Sequence, residues 1–260
     1  MILRQYLRPL IPEMLLRLYR AYRAHHRRTH IREHLVREYG RYAEYILPQR
    51  SLQTLFADHA DAMVQIPVAN IVRDDEMEMP LLEIISLAGV VSVTKPHRIF
   101  EFGTYLGDAT RMMVQHSPPE ARIFTLDLDP ATRDEYLRQV GYNFAFSVQP
   151  GEYFINTPEA QHIVQLYLGL APFDYSPYYG TMDLVLVDAD HSYRFVKADT
   201  EIAFKLIKPG GVIVWDDYTW HDHHPECVGV TRCLNELADT LPIYRIAQTR
   251  FGIYIDQPSK

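Results

Sequence analysis

Two apolar runs of strand length, residues 184–187 and 212–215, stand out along the chain because neither alternates with polar residues. Such runs predict strands buried on both faces, as in a parallel sheet covered by helices. Between them Phe195, Val196, Ile202, Ala203 and Leu206 recur at helical spacing, and Lys208, Pro209, Gly210 and Gly211 form a stop signal, so residues 192–207 predict a helix. Strand, helix and strand make a right-handed crossover, which sets both strands parallel with their C-terminal ends on one edge of the sheet. Asp188 and Asp216 end those strands, and Asp190 and Asp217 follow closely. With neighbouring strands about 4.8 Å apart, four carboxylates crowd the rim where open α/β sheets bind ligands. Like charges so close require a cation, a shared proton or a positive substrate group. Helix capping accounts for one of them, not four.

Upstream, residues 98–107 (RIFEFGTYLG) read as a strand entering a turn with Gly103 and Gly107, and residues 109–116 as a helix. Glycines at such a turn let a ligand approach the backbone, beside the free N–H groups of the helix N-terminus. The spacing is not the dinucleotide pattern GxGxxG. Residues 123–126 predict the next buried strand, ending in Asp127, 24 residues after Gly103 and placed to accept hydrogen bonds from both hydroxyls of a ribose. Residues 129–140 predict a helix. Residues 142–158, with Pro150, Gly151 and several aromatics, suit an inserted loop or lid. Residues 162–168 are the preferred third strand, with 143–148 as the alternative. Helices are also expected over 51–70, 79–93 and 226–240, and strands over 243–247 and 251–255.

Residues 13–28 alternate Leu and Tyr with Arg at helical spacing, which predicts a basic amphipathic helix that packs on the acidic body or on a second subunit, or lies on an anionic membrane. His25, His26, His30 and His34 read as a solvated face, because no Cys or carboxylate frames them as metal ligands. His221, His223 and His224 fall in a polar loop near the rim, as substrate contacts or solvated residues. The first 50 residues hold 11 Arg and 4 Glu, a net +7, which leaves −14 for the remaining 210 of a chain with net charge −7. An acidic body argues against a nucleic-acid enzyme. Cys227 and Cys233 lack metal or redox spacing and read as reduced thiols of an intracellular protein. No apolar run reaches the 18 or more residues of a membrane span, and no signal-peptide core precedes the body, so a cytoplasmic address is expected. A 260-residue chain that is 47% hydrophobic buries an ample core in one full domain with an appendage. The boundary is expected near residue 66, with 1–66 as a basic helical extension.

EFGTYLG, LDLDP, VDADHSY and KPGGVIVWDDY together resemble the class I S-adenosylmethionine-dependent methyltransferases, and more narrowly the metal-dependent sugar and small-molecule O-methyltransferases. The resemblance covers about residues 79–256. It implies a Rossmann-like α/β sandwich, a seven-stranded mostly parallel sheet with helices on both faces, with 67–260 as the cofactor-binding domain. It further implies that Glu101, Gly103, Thr104, Tyr105, Gly107, Asp127, Leu128 and Asp188 bind S-adenosylmethionine. By the same resemblance Asp188, Asp216 and Asp217 match metal-ligand positions for Mg²⁺ or another divalent cation. Asp190 matches the proposed general base, with His191 ranked behind it. The chain departs from this pattern at Leu168, Gly169 and Leu170, where relatives carry Gly-Asp-Ser near adenine, and at Asp216–Asp217, where many have His-Asp. The implied partner is a small-molecule acceptor, without nucleic acid, and the N-terminal helices leave homo-oligomerisation open. The alternatives are a metal-independent methyltransferase on an O or N acceptor and a catalytically silent cofactor-binding or scaffold protein.

Overall fold

A computed structural model describes residues 37, 39–44, 46–59, 61–66, 79–142, 148–219 and 227–256. The expected basic helix of residues 13–28, the histidines of the first 34 residues, the alternative strand over 143–147 and His221, His223 and His224 lie outside the described residues.

Eight strands form one sheet: β1 (Gln49–Arg50), β2 (Arg98–Phe102), β3 (Arg122–Leu128), β4 (Ile163–Leu168), β5 (Met182–Val187), β6 (Ile207–Trp215), β7 (Tyr244–Ile246) and β8 (Gly252–Ile255). Their order is β1-β7-β8-β6-β5-β2-β3-β4. The five strands from β4 to β6 run parallel, β8 pairs antiparallel with both β6 and β7, and β1 pairs parallel with β7. The eighth strand, beyond the seven expected, is β1, a two-residue edge strand with no hydrophobic pattern to announce it.

The helices are α1 (Leu52–Leu55), α2 (Leu81–Thr94), α3 (Asp108–His116), α4 (Arg133–Gln139), α5 (Tyr193–Leu206) and α6 (Val228–Leu237). Period-two side chains on the buried strands divide the core. Phe100, Phe102, Val185, Val187, Ile213 and Trp215 face α5 and α6, through Val196, Ala203, Val230 and Leu234. Ile99, Leu184, Leu186, Val212 and Val214 face α2 and α3, through Leu87, Val90, Val91 and Met113. Each strand is therefore apolar throughout because both of its faces are covered.

Two expected boundaries shift. The helix over 51–70 is a single capped turn, with Ser51 Oγ accepting from Thr54 N–H at 3.1 Å, and it ends at Phe56, whose φ −131° and ψ 53° leave helical space. Residues 208–211 do not form a separate turn. α5 passes directly into β6, which takes in Lys208 to Gly211 opposite a register shift between Met182 and Leu184.

The chain before the domain is strapped to it. Asn235 Nδ2 donates to the carbonyls of Tyr42 and Glu44 at 2.9 and 2.6 Å. The buried Tyr218 hydroxyl accepts from the amides of Ile46 and Leu47 at 3.0 and 3.1 Å. Among the described residues no helix is long and apolar enough to cross a membrane.

Candidate active site

Four strands finish at one rim, and backbone hydrogen bonds sew their ends together. Gly103 N–H donates to Leu126 O at 2.8 Å, Asp188 N–H to Phe102 O at 2.9 Å and Asp216 N–H to Val187 O at 3.1 Å. This places the turn after β2 against the start of the turn after β5. At Gly103, with φ +89°, an added Cβ would overlap the backbone carbonyl of Asp188. Gly107 (φ +94°) precedes α3, and an added Cβ there would strike the Phe154 ring. Both glycines are thus demanded by the protein's own packing. Gly103 also lines the cavity described below, whereas Gly107, Glu101 and Thr104 do not.

Asp127 ends β3 and braces the turn. Its Oδ2 accepts from the amides of Thr104 and Tyr105 at 3.0 and 2.7 Å, and its Oδ1 from Leu128 N–H at 2.6 Å. A carboxylate has about four lone-pair sites, so a single acceptor direction is left for a ligand rather than the pair expected for two hydroxyls. Burial raises the Asp127 pKa, against the lowering effect of those three amides and of Arg133.

Glu101 lies fully buried beneath the turn, receiving Thr110 Oγ1 at 2.5 Å. Burial pushes its pKa up to about 8, in spite of hydrogen bonds from Thr110 and Thr125. It acts as a protein-internal anchor between β2 and α3.

At the ends of β5 and β6, Asp188, Asp216 and Asp217 each bring a carboxylate oxygen within 4.8 Å of the other two. Asp216 and Asp217 are 6% exposed. Asp217 adopts φ +61°, a left-handed conformation uncommon outside Gly, Asn and Asp. Burial, then the charges of Asp216 and Asp217, raise the Asp188 pKa well above the carboxylate range. Burial, then Asp217 and Glu83, raise that of Asp216. These residues fit a hard divalent cation: the donors are all carboxylate oxygens, and their raised pKa values mark negative charge short of compensation.

Part of the compensation comes from Arg250, which sequence reasoning missed together with its partner Glu83. Arg250, just before β8, donates Nη1 to Asp217 Oδ1 at 2.7 Å and places Nη2 3.8 Å from Asp216 Oδ2. The same guanidinium grips Glu83 of α2, 3% exposed, through Nε and Nη2 at 2.9 and 2.8 Å. Glu83 and Arg250 lie 167 residues apart in the chain, so no local pattern links them.

His191 packs on the other side. Its Nε2 lies 2.9 Å from Asp217 Oδ2 and its Nδ1 3.4 Å from Cys227 Sγ. Burial alone would lower the His191 pKa, but the hydrogen bond and charge of Asp217, with Asp216 and Asp190, raise it above the ordinary value. Asp190 is held differently: Oδ1 accepts Ser192 N–H at 2.7 Å and Oδ2 accepts the Tyr142 hydroxyl at 2.6 Å.

A cavity of about 610 Å³ runs along this rim. It is lined by Gly103, Asp127, Leu128, Asp188 and His191 and by aromatic and aliphatic side chains of α4, α5 and the loop after β4. It brings together Gly103, Tyr105, Asp127, Leu128, Asp188, Asp190 and His191 of the sequence-predicted set. Asp216 and Asp217 do not line it. Asp199 lines it and was not anticipated, since a polar residue on an amphipathic helix carries no signal of its own.

A family model described as a methyltransferase domain matches residues 100–218, from β2 through Tyr218. The matched stretch runs from β2 to the carboxylates after β6 and holds both the turn after β2 and the rim described above. No curated protein matches the chain significantly. Among solved structures, a methyltransferase from Podospora anserina with bound SAH is 16% identical with a TM-score of 0.51, over 75% of this chain and 89% of that one. The O-methyltransferase TomG from Streptomyces achromogenes, in complex with SAM, is 19% identical with a TM-score of 0.49, over 78% and 96%. An O-methyltransferase from Bacillus cereus in complex with SAH is 16% identical with a TM-score of 0.47, over 78% and 97%. At 16% identity the likeness to the Podospora anserina structure is one of fold.

Proposed function

We propose that the chain transfers a methyl group from S-adenosylmethionine to a hydroxyl oxygen of a small molecule, a sugar, phenol or similar diol, with a divalent cation held by Asp188, Asp216 and Asp217. The observation that carries this reading is the gathering of those three carboxylates at the rim, with Asp188 shared between their cluster and the cavity wall. In the transfer a C–O bond forms as the S–C bond breaks, the electron pair stays on sulfur, and the hydroxyl proton passes to a base. Most of the acceleration in such an in-line displacement comes from holding the reactants in position.

Each residue then has a task. Asp127 fixes the turn after β2 through the amides of Thr104 and Tyr105, accepts from Leu128 N–H beside it, and offers its remaining acceptor direction to a ribose hydroxyl. Asp190, aimed by Ser192 N–H and the Tyr142 hydroxyl, keeps free lone pairs on both oxygens and takes the proton. His191, whose pKa is raised against the effect of burial by the hydrogen bond and charge of Asp217, is engaged with that carboxylate at 2.9 Å and ranks behind Asp190 as base. A bound divalent cation would lower the pKa of an acceptor hydroxyl.

Thermal melts in Mg²⁺ or Mn²⁺ test the cation. At a hundredfold excess over Kd the gain is about 2.7 kcal/mol, worth roughly 2–4 °C of Tm per kcal/mol in a chain of this size. Asp216→Asn should cancel that shift. It keeps an oxygen for the Asp217 amide, now accepted at 2.6 Å, and removes one charge from a repelling cluster. The metal-free variant should therefore melt no lower than the metal-free parent. Unchanged melting in millimolar cation, with cofactor binding intact, would transfer the role to a second reading: a metal-independent enzyme in which Arg250, already 2.7 Å from Asp217, is the resident countercharge.

A further inference from the structure

Cys227 has no task in the reaction above, yet it is 2% exposed and stands beside two groups of the rim. Its Sγ lies 3.4 Å from His191 Nδ1, and the other nitrogen of that ring lies 2.9 Å from Asp217 Oδ2. One ligand atom from each of the three residues falls within 4.8 Å of the other two. The spacing of Cys227 and Cys233 along the chain gives no hint of this, because the partners of Cys227 come from the loops after β5 and β6.

Packing holds the three donors in place. An added Cβ at Gly229, in the first turn of α6, would strike the backbone of His191 and Tyr193, so the start of that helix lies backbone to backbone on the turn after β5. Thr231 Oγ1 donates to Thr219 O at 2.6 Å and ties the same turn of α6 to the segment after Asp217. Cys227 is the N-cap of α6, where the N–H end of the helix favours negative charge.

We propose that His191, Asp217 and Cys227 form a site for Zn²⁺ or a cation of like softness, distinct from the all-carboxylate set and sharing only Asp217 with it. It requires neither the cofactor nor the hard cation. Donor type separates the two sets: a thiolate and an imidazole suit Zn²⁺, whereas carboxylates alone suit Mg²⁺. Spacing agrees with donor type. Sulfur at about 2.3 Å and nitrogen at about 2.0 Å from one tetrahedral zinc ion stand about 3.5 Å apart, close to the 3.4 Å that Cys227 and His191 keep. Three protein ligands leave a fourth position open, and His191, its side chain 36% exposed, lines the cavity and gives an ion a way in. The thiol proton leaves on binding.

Titration of the chelator-treated full chain with Co²⁺, a spectroscopic stand-in for Zn²⁺, tests this. The parent should develop a thiolate-to-cobalt charge-transfer band that saturates at a single equivalent and is erased by Zn²⁺. Only a cysteine gives that band, so histidines elsewhere in the chain do not contribute to it. Cys227→Ser should abolish it. His191→Ala should raise the Co²⁺ midpoint on the order of a hundred-fold, since losing a ligand costs at least as much as losing a ligand's hydrogen-bond partner. That side chain is exposed enough to be truncated without emptying the core, so the variant serves even if the serine variant does not fold. Cys233→Ser, a change within the core, should keep the band. Asp216→Asn, which cancels the Mg²⁺ shift on the reading above, should also keep it, so the two cation sites fail separately. No thiolate band in the parent at millimolar Co²⁺ would overturn the proposal and leave a thiol–imidazole hydrogen bond in its place. A band that survives Cys227→Ser, an unmoved midpoint in His191→Ala, or a band lost in a folded Cys233→Ser or Asp216→Asn chain would overturn it as well.

Discussion

Gly103→Ala is expected to cost about 2–5 kcal/mol of stability, the sum of overpacking against fixed backbone and a left-handed conformation forced on a residue with a Cβ. That corresponds to a Tm lower by roughly 4–20 °C. The atoms the new methyl would meet are the carbonyl of Asp188 and the Cα of Ala189. They cannot yield cheaply, because Asp188 N–H is bonded to Phe102 O at 2.9 Å and fixes the end of β5 against β2. Gly210→Ala provides the control: its φ is +81°, yet nothing lies within 4 Å of the position its Cβ would take. The conformational cost alone, about 1–2 kcal/mol, is expected there. Equal melting temperatures for the two variants would mean that the contact between the turn and Asp188 does not constrain the rim.

Asp127→Ala should have the largest effect on ligand binding of any single change on the cavity wall. It orphans the amides of Thr104, Tyr105 and Leu128 together and removes the acceptor offered to the ribose. A charge-assisted hydrogen bond contributes about 1.5–3 kcal/mol, and the slackened turn adds to that loss. Affinity for S-adenosylhomocysteine should fall on the order of a hundred-fold or more. Asp127→Asn, which keeps one carbonyl oxygen, should fall between the variant and the parent. A variant that keeps parental affinity while melting lower would confine Asp127 to holding the turn.

Legible in the sequence are the strands that carry the rim. Residues 184–187 and 212–215 are apolar at every position because α5 and α6 cover one face of the sheet and α2 and α3 the other. The carboxylates that end them follow directly, since parallel neighbours must finish on the same edge. Asp127 is legible for the same reason. The partners of these carboxylates are not. Glu83 sits in the first turn of α2 and Arg250 in the turn before β8, and only the packing of α2 behind the sheet brings them under Asp216 and Asp217. Asp190 is legible only as the position matching a general base, and its tether to Tyr142 comes from a segment without periodicity. Gly103 and Gly107 read as openings for a ligand, although both make room for the protein itself, a distinction that depends on tertiary contact.

The central claim, that the cavity beside the carboxylate rim receives an S-adenosyl cofactor, is tested most directly by calorimetric titration of the full chain with S-adenosylhomocysteine. The expected result is a single site with a Kd in the micromolar range, about −8 kcal/mol, and a matching rise in Tm. The absence of binding heat together with an unchanged melting curve at millimolar ligand would contradict it.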